Sequence, residues 1–253
     1  MATYNVEECQ ILNSKNERSI NYDILIIGDN VRGKIIVIEG TDCSGKETQK
    51  NLILKRFQED KLKAYAFPNY ESPSGRIVGG PYLGKEHIGE GYFNEGAAFV
   101  DPLVASLYYA ADRRYNLPEI LEIINSGTSI VIDRYTYSNC AHHGAKLDSE
   151  EERLKFFEKM RTLEFNLLEL PEPDLVIFLH MPYEQACILK KNREEKADQH
   201  ESNAQHLIEA EKTYLQLAKT YNFKTVSCVQ NNEIKPIMEI HEEVYSIIKN
   251  FLN

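Results

Sequence analysis

The chain has 253 residues, 42% of them hydrophobic, enough for one α/β domain with an ordinary core. With 29 basic against 39 acidic residues the formal charge is -10, which argues against unspecific binding to nucleic acid or an anionic membrane, so any phosphate binding must come from a local site. No apolar run approaches the roughly 20 residues that span a bilayer, and the N-terminus, with Glu7 and Glu8, has no signal-peptide character.

Residues 1–32 are polar and irregular apart from Ile24-Leu25-Ile26-Ile27, and read as an N-terminal extension with at most one short strand. From Lys34 the pattern alternates. Strands are expected at 34–39, 63–67, 129–133, 174–179 and 224–228, short and rich in Ile, Val and Phe, with longer helical patterns between them. This predicts an α/β fold, a five-stranded and mostly parallel sheet covered by helices on both faces. Segment 70–98 carries many Gly and Pro residues and no clear period. Segment 190–206 is a charge run, including Lys190, Lys191, Arg193, Glu194, Glu195 and Lys196. Such a run reads either as a solvated face or as a lid over a phosphate site.

The first expected strand ends in Gly40-Thr41-Asp42-Cys43-Ser44-Gly45-Lys46, followed by a helical pattern with Leu52, Ile53 and Phe57. Strand, glycine loop and helix are the context of a P-loop, whose backbone N–H groups cradle phosphate while the lysine reaches the β- and γ-phosphates. The next residue is Glu47, where Ser or Thr ordinarily offers a hydroxyl to Mg²⁺. Thr48 comes about 100° further round the helix and does not simply replace it. Three readings stay open: Glu47 binds the metal, the metal is held elsewhere, or nucleotide hydrolysis is impaired. The five cysteines (Cys9, Cys43, Cys140, Cys187, Cys228) are widely spaced without a Cys-x-x-Cys pair and read as reduced thiols of a cytoplasmic protein. Cys187 and Cys228 are expected in the core, and Cys43 at a helix N-terminus.

In open parallel sheets, ligands bind beyond the carboxyl ends of the strands. Those ends deliver the P-loop, then Phe67-Pro68-Asn69-Tyr70, then Asp133-Arg134-Tyr135. The Asp133-Arg134 pair reads either as a structural ion pair or as a phosphate clamp beside a metal-linked carboxylate. Tyr109 and Arg113 are spaced i, i+4 and share a helix face, where a ring can stack on a base and a guanidinium can meet its edge.

Together these segments, with Leu107–Arg113, Asp133–Ser138 and Pro173–Leu179, resemble the thymidylate kinases in order and spacing over roughly residues 33–250. The resemblance implies a three-layer P-loop kinase domain over 33–253 with a lid at about 190–206. It implies transfer of the γ-phosphoryl group of ATP to dTMP with Mg²⁺, in a homodimer that binds neither nucleic acid nor membrane. Gly40, Cys43, Ser44, Gly45, Lys46, Glu47 and Thr48 would hold ATP. Asp42, Phe67, Tyr109, Arg113, Arg134, Ser138 and Asn139 would hold dTMP. Lys46, Asp133, Arg134 and Arg193 would carry catalysis, and Glu47 and Asp133 the metal. Asn231–Pro236 would flank adenine. Two departures stand beside Glu47: the P-loop has Cys43 where some members carry an Arg, so the lid must supply one, and Asn69-Tyr70 stand where many place an acceptor-phosphate Arg, for which Arg76 is a candidate. A kinase for a related pyrimidine nucleotide or nucleoside, and a non-catalytic nucleotide-binding scaffold, are the alternatives.

Overall fold

A computed structural model describes residues 32–57, 61–190 and 204–253. The apolar run 24–27 and residues 191–203 of the expected lid, Arg193 among them, lie outside the described residues.

Five parallel strands, β1 (Ile35–Glu39), β2 (Leu62–Ala66), β3 (Ser129–Asp133), β4 (Leu175–His180) and β5 (Lys224–Ser227), form one sheet in the order β2-β3-β1-β4-β5. The five strands read from the sequence are all present, within a residue or two at their ends. β1 is central and buried along its whole length, which explains its unbroken apolar run. Its residues divide by alternation. Ile35 and Val37 face a core closed by α3 (Pro102–Asn125), α4 (Thr136–Gly144), α5 (Glu150–Arg161) and α7 (Ala204–Thr220). Ile36 and Ile38 face the opposite core, closed by α1 (Lys46–Arg56) and α8 (Ile237–Leu252).

That division creates the site. β1 and β3 are neighbours, yet the chain leaves β1 into α1 on one face and β3 into α4 on the other. A crevice opens at the carboxyl ends of two such strands, because their following segments part in opposite directions.

The helices around the crevice are fixed by local chemistry. Asp101 caps α3, accepting from Leu103 N at 2.9 Å and Val104 N at 3.0 Å, with Pro102 in the first turn. Ser149 and Glu152 form a reciprocal capping box at the start of α5, which runs on into a π-helical turn at Thr162–Leu167. The aperiodic segment 70–98 holds the short α2 (Pro73–Ile77) and a π-helical turn at Val78–Tyr82, and its Val78, Tyr82 and Ala97 form a small core with Val100 and with Ala105 of α3. α6 (Tyr183–Lys190) follows β4. The sequence reading missed a two-stranded antiparallel hairpin, β6 (Val229–Gln230) and β7 (Glu233–Ile234). Its signal was Asn231-Asn232: both adopt positive φ, as a two-residue hairpin turn requires and as Asn tolerates. Among the thiols, Cys228 is buried as expected, whereas Cys187 on α6 is only half-buried.

Candidate active site

A cleft of about 780 Å³ lies at the carboxyl ends of β1, β2 and β3. The whole stretch Asp42–Lys50 lines it, opposed by Phe67, Pro68 and Tyr70 and by Asp133 and Arg134. The loop between β1 and α1 takes its shape from two backbone constraints. A Cβ on Gly40 would come within 2.5 Å of Ser44 Oγ and 2.8 Å of the Leu179 carbonyl oxygen, and Gly45 sits at φ 84° just before the helix. Cys43 also adopts positive φ, at 60°. Lys46 is buried and lays its Nζ 2.7 Å from the Thr41 carbonyl oxygen, over the mouth of the loop. Burial, then the nearby Arg134 cation, lower its ammonium to about 8.

Arg134 stands at φ 63° between β3 and α4, a left-handed position uncommon outside glycine. The turn is over-determined. Its own N–H donates to the Ile38 carbonyl at 3.1 Å, and the next N–H, of Tyr135, donates to Glu39 Oε1 at 2.9 Å. Glu39 is fully buried and also accepts from Ser138 Oγ at 2.6 Å and Tyr214 OH at 2.9 Å. Burial nonetheless raises its carboxyl above the ordinary value. So held, the Arg134 guanidinium forms an ion pair with Asp42 of the P-loop and lies 3.1 Å from His142 Nε2. Asp42 and the neighbouring carboxylates hold Arg134 above its ordinary value against the opposing effect of burial. Asp133 meets Lys50 Nζ at 3.8 Å.

Glu47 is exposed in the first turn of α1 and lines the cleft, its side chain making no hydrogen bond among the described residues. Thr48 is also exposed there. Phe67 packs between Tyr65 and Tyr135, with centroids at 5.2 and 6.0 Å, and lines the cleft. Tyr109 lines the same wall and packs on His143 at 5.5 Å. At the other end, Ile234 and Lys235 of the hairpin and Ile237 of α8 line the cleft, where Asn231–Pro236 was expected to flank a base.

Three expected base-side residues are not among those that line the cleft. Arg113 is 1% exposed and its guanidinium grips Glu164, with Nη2 donating to Oε1 at 2.8 Å. Burial works to lower its pKa, and the Glu164 carboxylate more than offsets this. Asn139 Nδ2 donates to the same carboxylate at 2.9 Å. Ser138 spends its hydroxyl on Glu39. Arg76 is exposed on α2 and does not line the cleft; Lys85 does, with Nζ 5.3 Å from the centre of the Tyr70 ring.

Several participants were missed. Lys50 lies one turn beyond Lys46, a legible i, i+4 relation. Glu39 is a lone carboxylate ending an apolar strand. His142, three residues after Asn139 on α4, lines the cleft; burial and then Arg134 push its pKa well below the ordinary value. Glu164 had no local signal, because its partners are distant in sequence.

The family model of thymidylate kinase matches residues 38–243. The chain belongs to the thymidylate kinase family. A probable thymidylate kinase 1 of Saccharolobus solfataricus is 31% identical over 87% of this chain and 98% of its own. A thymidylate kinase of Schizosaccharomyces pombe is 27% identical over 87% and 93%. In fold, the chain is similar to a solved structure of thymidylate kinase from Candida albicans, with a TM-score of 0.66 and 24% identity over 87% of this chain and 92% of the other. Family membership makes this an enzyme of the nucleotide kinase type on an α/β fold. Among the described residues no helix is long and apolar enough to cross a membrane.

Proposed function

We propose that this chain transfers the γ-phosphoryl group of ATP to dTMP, giving dTDP, with Mg²⁺. The observation that carries the reading is the Asp42–Arg134 ion pair, which joins the donor-side loop to the strand end that offers the acceptor clamp. A nucleoside monophosphate is already an anionic nucleophile, so the site must position it and neutralise charge rather than remove a proton. The bond from the γ-phosphorus to ADP breaks as the bond to an acceptor phosphate oxygen forms.

In this reading the loop from Gly40 to Thr48 holds ATP, with Lys46 leaving the Thr41 carbonyl for the β- and γ-phosphates. Arg134 faces the acceptor phosphate, Asp42 the sugar, and Phe67 and Tyr109 wall the pyrimidine. Arg113 and Asn139 form the floor of the base subsite. Arg193, in the lid at about 190–206, supplies the remaining cation. Mg²⁺ takes one or two protein carboxylates beside phosphate oxygens, and Asp133 with Glu47, both lining the cleft, fit that demand. When bound, the ion neutralises charge on the transferred phosphoryl group. Leu103, Leu107 and Tyr115 form an exposed apolar stripe along α3, which supports a homodimer. The enzyme is read as cytoplasmic, with small-molecule nucleotides and no nucleic acid as partners.

A coupled assay of ADP release over a panel of nucleoside monophosphates tests the function. Activity confined to dTMP and close pyrimidine analogues is expected. Activity with none of them, while ATP still binds, would leave a nucleotide-binding scaffold.

A further inference from the structure

We propose that Glu164 is a positioning residue that sets the hydrogen-bonding polarity of the base subsite, favouring a 4-oxo over a 4-amino pyrimidine. The inference rests on the reading above, that the cleft takes a pyrimidine monophosphate. Glu164 is fully buried on the π-helical turn after α5, and its one carboxylate gathers donors from two other helices. Arg113 Nε and Nη2 reach it from α3; Thr136 Oγ1 at 3.1 Å and Asn139 Nδ2 at 2.9 Å reach it from α4.

Arg113 lies one turn beyond the cleft-lining Tyr109 on α3, and Asn139 one turn before the cleft-lining His142 on α4. The two side chains therefore meet at the Glu164 carboxylate, each about one helical turn from a cleft-lining ring. Asn139 Nδ2 is pinned between two pure acceptors, Glu164 Oε1 and the Ser106 carbonyl at 3.2 Å. The amide cannot turn over without setting its oxygen against them. Its Oδ1 accepts no hydrogen bond among the described residues. Arg113 spends Nε–H and one Nη2–H on the carboxylate and one Nη1–H on the Tyr135 carbonyl at 3.4 Å, which leaves two of the five N–H groups of a guanidinium. What the carboxylate leaves for a base is thus a donor from Arg113 beside an acceptor from Asn139. A 4-oxo pyrimidine offers the complement, an acceptor oxygen next to N3–H. A 4-amino pyrimidine offers a donor next to a bare nitrogen, so both contacts are lost.

The test uses the full chain with saturating ATP and Mg²⁺, measuring kcat and KM for dTMP, dUMP and dCMP, the ATP KM and the thermal midpoint. The wild type should prefer dUMP over dCMP by at least about 100-fold in kcat/KM, because mismatched buried polar groups discriminate strongly. Glu164→Gln puts a donor where one of the two pinning acceptors stood and leaves the Ser106 carbonyl as the remaining hold on the Asn139 amide. The dUMP:dCMP ratio should fall at least about tenfold, with the ATP KM unchanged within about twofold. A uniform loss on all three nucleotides at an unchanged ratio is what a merely structural ion pair gives, and it overturns the inference. If Glu164→Gln does not fold, Glu164→Asp decides: the shortened carboxylate cannot hold both side chains, so an unchanged ratio there overturns the inference equally. A wild type that turns over none of the three nucleotides overturns the functional reading itself. An active wild type whose ratio is insensitive to Glu164 overturns only the assignment of Glu164.

Discussion

Arg134, at the end of β3, reaches across the cleft to Asp42 in the P-loop and joins it in an ion pair. Each charge is held mostly out of water, so each depends on the other. Removing Asp42 leaves a largely buried guanidinium without its main counter-charge. Asp42→Asn should lower kcat/KM for dTMP by at least about tenfold, and Arg134→Ala by more. Because both changes break one contact, their effects should not add. A double-mutant cycle should return a coupling of about 0.5–3 kcal/mol, and additivity within about 0.5 kcal/mol would show that the pair does not act as a unit.

Much of this geometry was legible in the sequence. The run at 34–39 reads as a strand, and a glycine loop between a parallel strand and its following helix sits at the sheet's carboxyl edge. The five strand positions follow from the same periodic signal. The hub residues Glu39 and Glu164 were not legible. A buried carboxylate gives no pattern of its own; it is explained only by donors that folding brings from far along the chain, Tyr214 for Glu39 and Arg113 for Glu164. The depth of Arg113 was missed for a related reason. Its spacing from Tyr109 fixes a shared helix face, but how far down that face the cleft reaches depends on what α4 and the turn after α5 place against it.

Lys46 gives a pH prediction whose sign can be worked out. Its ammonium is lowered from an ordinary value of 10.5 to about 8, by burial first and then by Arg134. A triphosphate favours the charged form, so binding should draw a proton onto Lys46 wherever the free protein has lost it. Calorimetry of ATP binding in buffers of different ionisation enthalpy should find about half a proton taken up near pH 8 and little below pH 7. ATP affinity should weaken as pH rises above about 8. For the protein alone the sign is opposite: a lowered base costs stability below its folded pKa, and that cost fades between about 8 and the ordinary value. No proton uptake at pH 8 would mean that Lys46 is already charged there.

The wall beside Phe67 gives a comparison between two cations. Tyr70 stands where an acceptor-phosphate Arg was expected, and Lys85, not Arg76, lines the cleft next to it. Lys85→Met should raise the dTMP KM by about 10–150-fold, the range of one lost charge-assisted contact, and leave the ATP KM nearly unchanged. Arg76→Ala should change neither. The reverse result would move the acceptor phosphate toward α2.

Glu47 is the least expected residue of the P-loop, and its surroundings narrow its role. It is exposed, lines the cleft, and its carboxylate makes no hydrogen bond among the described residues, so it does not cap the start of α1. A carboxylate in that position puts a full negative charge where a hydroxyl puts none. With Mg²⁺ present that charge is offset and can ligate the ion directly or through water. Without Mg²⁺ it faces the triphosphate and repels it. ATP binding should therefore depend more steeply on Mg²⁺ in the wild type than in Glu47→Thr, which should stay active and bind metal-free ATP more tightly. Glu47→Gln keeps the shape and loses the charge, so it should weaken metal affinity while easing the repulsion. Titrating Mg²⁺ against ATP binding in the three proteins separates ligand from bystander. Superimposable curves would place the metal on other groups, with Asp133 the first to examine, and leave Glu47 as a solvated residue at the rim.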